Sequence, residues 1–97
     1  MKNLEELRKI LQNHKDKLKD EYAVNEIGIF GSYTKEEQIE TSDIDILVDF
    51  QKAIDLLTFV HLKNHLSKLL NVNVDLVMKR ALKPNIGQRI LKDVIYI

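Results

Sequence analysis

The chain has 97 residues, 44% hydrophobic and 31% charged, a balance typical of packed domains and unlike the apolar-poor composition of disordered chains. Lys plus Arg and Asp plus Glu both number 15, so no net field draws it onto nucleic acid, and the lack of cysteine excludes disulfides and thiolate zinc sites. The stretch Met1 to Arg8 mixes charge with apolar residues, unlike a secretory leader, and no apolar run approaches the ~20 residues of a membrane span, so a cytoplasmic protein is expected. A chain this short fits one domain, residues 1–97, since splitting it would leave neither half a core.

Leu4, Leu7, Leu11, His14 and Leu18 recur at helical spacing with Ile10 beside them, which predicts an amphipathic helix from Asn3 to Glu21. Val24 to Phe30 is short, rich in β-favouring residues and stopped by Gly31, as a buried strand would be. Ser32 is placed to cap a short helix, with Glu36 and Glu37 near its first turn. Asp43 to Phe50 alternates strictly, predicting a strand with Ile44, Ile46 and Val48 on one face and Asp43, Asp45, Leu47 and Asp49 on the other. Leu56, Phe59, Leu62, Leu66 and Leu69 predict a helix from Leu56 to Leu70, and Val72 to Met78 alternates again as a third strand, which carries Asp75. Pro84 opens a last helix to Val94, and Ile95 to Ile97 reads as an edge strand, so helices and strands share one α+β or α/β core.

The chemistry concentrates around Asp43 and Asp45. On one side of a strand their Cα atoms stand about 6.6–6.8 Å apart, so their carboxylates converge. Like charges at about 4 Å cost ~1 kcal/mol in water and ~4 kcal/mol at an effective dielectric of 20, and a hard divalent cation such as Mg²⁺ supplies the counter-charge. Asp75 becomes a third ligand if its strand lies beside that of Asp45. Gly31-Ser32 offers the opposite half of such a site, because glycine lets the backbone approach a phosphate and free N–H groups can face it. Tyr33 and Lys35 adjoin that turn as candidate nucleotide contacts. An anion holder facing a cation holder suits nucleoside triphosphate chemistry with metal ions.

Gly31-Ser32, ten residues, then Asp43-Ile44-Asp45 resembles the signature of the DNA polymerase β-like nucleotidyltransferase superfamily, and Val74-Asp75-Leu76-Val77 resembles the strand bearing its third acid. The length and the ending "VDLVMKRALKPNIGQRILKDVIYI" resemble the minimal nucleotidyltransferases, MntA-type antitoxins encoded beside helical HEPN-domain toxins. The resemblance implies a small mixed sheet flanked by helices. It also implies Mg²⁺-dependent transfer of AMP from ATP to a hydroxyl, a tyrosine of a cognate HEPN toxin. By the same resemblance Asp43 and Asp45 hold two Mg²⁺ ions, Asp75 completes the one that activates the acceptor, and Gly31 and Ser32 hold the triphosphate. The family's Arg-Gly-Glu reads Lys35-Glu36-Glu37 here, and Lys lacks the bidentate fork of Arg. That departure motivates a second reading, an antitoxin that neutralises its partner by binding alone. A third, a small-molecule nucleotidyltransferase, meets the objection that such enzymes carry an added substrate-holding domain.

Other residues have blander expectations. His61 and His65 stand four apart but lack the Glu of the zincin motif, His14 sits on an apolar stripe, and Asp49 lies at the strand exit. Gly28 and Gly31 form neither a dinucleotide fingerprint nor a Walker loop. Leu57, Val60 and Leu70 exceed one helical stripe and are candidates for a partner-facing or self-associating surface.

Overall fold

A computed structural model describes residues 3–39 and 41–97. Helix α1 is Leu4–Tyr22, followed by strands β1 (Val24–Phe30) and β2 (Ile44–Phe50), helix α2 (Leu56–Leu70), β3 (Val74–Met78), helix α3 (Pro84–Asp93) and β4 (Ile95–Tyr96). The sheet runs β3-β2-β1-β4, with β1 antiparallel to β2 and β4 and with β2 parallel to β3. This is the mixed α+β arrangement expected from the periodicities.

Local chemistry fixes the helix ends. The Asn3 side chain accepts from Glu6 N at 3.0 Å and Asp55 accepts from Thr58 N at 2.7 Å, each satisfying an otherwise orphan N–H in the first turn. Both α1 and α2 end on a left-handed residue, Ala23 at φ 58° and Asn71 at φ 54°. Asn tolerates that conformation whereas Ala carries a Cβ penalty of about 1–2 kcal/mol. Ala23→Gly should therefore stabilise the protein by about 1 kcal/mol, and Asn71→Gly by distinctly less, read as a shift of the urea midpoint at constant slope.

One face of the sheet meets α1 and α2. Ile27, Ile29, Ile44, Ile46 and Val48 interlock there with Leu7, Leu11, Leu18, Leu62, Leu66 and Leu70, all at most 1% exposed. His14, half-buried on α1, has Nδ1 2.8 Å from the Ile10 carbonyl of its own helix, a packing role as expected. The Leu56 expectation fails: it is 76% exposed, with Leu57 at 65% and Val60 at 41%, whereas Leu70 is fully buried. The stripe facing the sheet is therefore Leu62, Leu66 and Leu70, with Phe59 and Leu69 packed at its margin.

The connection β2–α2–β3 and the longer connection β3–α3–β4 move across the sheet in opposite directions. Right-handed crossovers then place α2 and α3 on opposite faces. Gly28 records the result: a Cβ there would lie 2.6 Å from Val94 Cγ2 and 3.0 Å from the Ile95 carbonyl, so only glycine admits the end of α3. On this second face Leu47 is buried, and Asp49, 8% exposed, has Oδ1 3.0 Å from Arg80 Nε. Arg80 also donates to the Phe50 carbonyl at 2.9 Å, and Lys79 reaches Glu26 at 3.1 Å. Asp49 thus serves structure, tying a 3-10 turn, Lys79–Ala81, to β2.

The short helix after Ser32 does not form. A single 3-10 turn, Gly31–Tyr33, stands in its place, and the Ser32 carbonyl accepts from both Lys35 N and Glu37 N. Glu36 at φ 56° turns the chain out of helical geometry, so Glu36 and Glu37 have no first turn to occupy, and among the described residues the Ser32 side chain caps no helix. β3 begins at Val74 rather than Val72, because Val72 N is drawn to the Ser67 carbonyl in the turn that ends α2.

Candidate active site

Strand directions bring the candidate residues to one end of the sheet. β1 runs toward that end while β2 and β3 start from it, so the turn after β1 lies beside the first residues of both. In register, Phe30 faces Asp45 and Asp45 faces Asp75. The two acids sit side by side on adjacent strands, on the face away from the α1–α2 core, because Ile44, Ile46, Val74 and Leu76 take the core face. Asp43 precedes β2 and is exposed; Asn73 Nδ2 donates to its Oδ1 at 3.1 Å. Asn73 was not singled out in the sequence. Its signal is the parallel pairing of Ile44 with Val74, which sets residues 43 and 73 abreast.

Gly31 closes the site from the β1 side. It adopts φ +81°, and a Cβ added there would collide with Asp45 Oδ2. The Asp45 carboxylate thus rests on the bare backbone of the Gly31-Ser32 turn. That turn is held by Thr34, whose backbone N–H and hydroxyl both donate to the Gly31 carbonyl, at 3.1 and 2.8 Å.

Burial is the largest influence on Asp45, followed by the charge of Asp75, a hydrogen bond shared with it, and the charge of Asp43, and together they push its pKa from 3.8 up to about 6. The site has more negative charge than its surroundings compensate. Oxygen donors on Asp45, Asp75 and Asp43 fit a hard divalent cation, which would relieve that excess. Among the described residues no three acidic or histidine side chains are already gathered into a metal cage.

The folded protein holds the Asp45 proton more tightly than the unfolded chain, so this contribution to stability is full below about pH 4 and is lost as pH rises through about 6. Without divalent cations, urea unfolding should show this group costing about 1 kcal/mol at pH 7.5 relative to pH 4.5, after discounting for solvent screening. Asp45→Asn should remove that difference.

Tyr33 joins the core cluster at 3% exposure, and burial, then the charge of Asp43, raises its hydroxyl pKa. Lys35 Nζ lies 3.6 Å from Asp93 Oδ2 at the end of α3, both side chains about half exposed, so the loop and helix are joined by a weak surface pair. Glu36 adopts a left-handed backbone at the position where the family signature has Gly, so the loop keeps a glycine-like path with a Glu in it. His61 is exposed and His65 packs against Tyr22, ring centroids 5.6 Å apart, on a helix outside this constellation.

The sequence profile described as a nucleotidyltransferase domain matches residues 7–97. This chain belongs to the nucleotidyltransferase family. The protein adenylyltransferase MntA of Thermococcus cleftensis is 47% identical to this nucleotidyltransferase, across 100% of this chain and 98% of its own. A solved structure described as a candidate minimal nucleotidyltransferase superposes with TM-score 0.82 at 34% identity, covering 97% of this chain and 95% of that one. A toxin-antitoxin crystallised with AMP-PNP aligns with TM-score 0.72 at 29% identity, over 88% of this chain and 70% of its own.

Proposed function

We infer that this nucleotidyltransferase moves AMP from ATP to a protein hydroxyl, a tyrosine of a helical HEPN toxin, and so acts as the toxin's antitoxin in the cytoplasm. The observation that carries the reading is the juxtaposition of Asp45 and Asp75 against the Gly31-Ser32 turn. Similarity to an adenylyltransferase along the whole chain and to a toxin-antitoxin bound to a nucleotide analogue supports the same assignment.

Asp43, Asp45 and Asp75 would hold Mg²⁺, two ions being shared by the first two acids. When bound, the metal supplies Lewis-acid stabilisation of phosphate charge and lowers the pKa of the attacking hydroxyl. The chain's own residues do the rest. Gly31 presents bare backbone to the triphosphate, and Ser32 stands in the same turn with its carbonyl already committed to the loop behind it. Asp75, exposed on the edge strand beside Asp45, would complete the metal that activates the acceptor. The acceptor must be held in line with the α-phosphate, and such positioning is worth on the order of 7–11 kcal/mol, so transfer to free tyrosine should be negligible and transfer to a docked partner fast.

The test incubates the protein with ATP, Mg²⁺ and the product of its neighbouring gene, and follows the partner's mass. AMP on a tyrosine, absent with Asp43→Asn, is the expected result. A stable complex with unmodified partner would favour neutralisation by binding alone, a reading supported by Lys35-Glu36 replacing Arg-Gly and by the pairing of Lys35 with Asp93. Lys35 itself is expected to contact phosphate as a point charge. Lys35→Ala should weaken nucleotide binding about 3–10-fold while Lys35→Arg equals or exceeds wild type in calorimetry.

A further inference from the structure

The three acids are not held alike. Asp45 and Asp75 lie within paired strands, where the sheet fixes their backbone, and Asp45 also rests against Gly31. Asp43 precedes β2 and is exposed. The chain on either side of it is tied down: Ser42 N donates to the Ile39 carbonyl and Ile39 N to Ser42 Oγ, both at 2.9 Å, and Ile44 N donates to the Asn73 carbonyl at 2.9 Å. Its carboxylate has less support. Among the described residues the one hydrogen bond it receives comes from Asn73 Nδ2, at 3.1 Å to Oδ1.

Asn73 is itself placed by α2. Its neighbours Val72 and Val74 donate their N–H groups to the carbonyl and the hydroxyl of Ser67, at 3.3 and 3.1 Å, and that hydroxyl donates in turn to the Lys63 carbonyl at 3.0 Å. The entrance to β3 is thus anchored to the last turn of the helix on both sides of Asn73. A neutral amide suits the position. Its NH2 must face the carboxylate, since its carbonyl would set acceptor against acceptor, and it leaves Oδ2 to a cation without bringing a rival positive charge. An exposed hydrogen bond of this kind adds little to folding, because water replaces it when it is lost. A small divalent cation is more demanding, since it binds with near-ideal octahedral geometry and gains from ligands that are already oriented.

We propose that Asn73 is a positioning residue of the nucleotidyl-transfer site, setting the Asp43 carboxylate in the orientation that a divalent cation requires. The proposal rests on the metal-dependent reading above and adds to it a residue that acts only through Asp43.

The experiment titrates Mn²⁺ into the full chain by calorimetry, without nucleotide, for the wild type, Asn73→Leu, Asp43→Asn and the double variant. Every one of them keeps the backbone carbonyl that holds Ile44, so the urea midpoint should move little. Asn73→Leu should weaken Mn²⁺ binding about 10-fold. In the Asp43→Asn background the same substitution should change the remaining affinity by less than about 2-fold, because the group it acts through has lost its charge. In AMP transfer, Asn73→Leu should raise the Mg²⁺ concentration for half-maximal rate about 10-fold while excess Mg²⁺ restores kcat to within about 3-fold, a rescue that a merely structural defect would not allow. Wild-type Mn²⁺ affinity in a folded Asn73→Leu would overturn the proposal, as would an equal loss in the Asp43→Asn background. Should Asn73→Leu fail to fold, the wild type decides: the Asn73 side-chain NH2 resonance should shift as Mg²⁺ saturates the site, and an unmoved resonance overturns the proposal. If the wild type neither binds Mn²⁺ nor transfers AMP, the transfer reading falls and this proposal with it. Mn²⁺ binding that ignores Asn73 removes the proposal alone.

Discussion

Asp45→Asn is expected to lower nucleotidyl transfer by at least about 10³-fold while making the metal-free protein more stable at pH 7.5. Asparagine has the shape of aspartate, so it still fits against Gly31, where added volume would collide. It lacks the charge that burial and Asp75 make costly, the charge whose pKa stands at about 6. The same charge is what a divalent cation needs at this position. Stability and activity should therefore move in opposite directions, which separates loss of chemistry from loss of fold. Single-turnover AMP transfer to the docked partner, with urea unfolding at pH 4.5 and 7.5, measures both. An Asp45→Asn protein that retained transfer within about 10-fold would remove Asp45 from the metal site.

Gly31→Ala is the second large expected effect, for two independent reasons. The residue sits at φ +81°, where a Cβ costs about 1–2 kcal/mol, and that Cβ would occupy the space of Asp45 Oδ2. Either the turn or the carboxylate must move. The expected cost is about 2–3 kcal/mol of stability and at least ~10²-fold in transfer, because misplacement of a catalytic group by about 1 Å is enough for that loss. A double-mutant cycle isolates the collision: in Asp45→Ala the obstructing oxygens are gone, so the added cost of Gly31→Ala should fall to the backbone part alone. Additive costs in the cycle would show that the two residues do not touch.

The elements that were legible in the sequence are those whose period is set by contact with one flat core. Leu7, Leu11 and Leu18 repeat at helical spacing and Ile44, Ile46 and Val48 at strand spacing because each set faces the same buried layer, and all are buried. Gly31-Ser32 and the Asp43–Asp45 pair were legible for a related reason: their residue types are unfavourable in an ordinary strand, and a motif is needed to justify them. The Lys35-Glu36 departure could be seen too, but not that Glu36 would keep the left-handed backbone of a glycine.

Pairing and facing were decided by tertiary structure alone. The parallel register that sets Asp45 against Asp75 joins strands separated by the whole of α2, and nothing within either strand specifies its neighbour's offset. Leu56 continues the apolar period of α2 yet, as the first residue of that helix, is left outside the core, while Asp49 sits on the acidic face yet is neutralised by Arg80 from the turn beyond β3. The loop from Ser32 onward defeated the expectation of a helix because local propensity does not register the left-handed backbone that Glu36 adopts there. Hydrophobic period is a local property of the chain, so sequence alone determined the elements and the kind of chemistry. Register, crossover side and loop path depend on contacts between distant residues, so only the folded structure decided which acids meet and what lies against them.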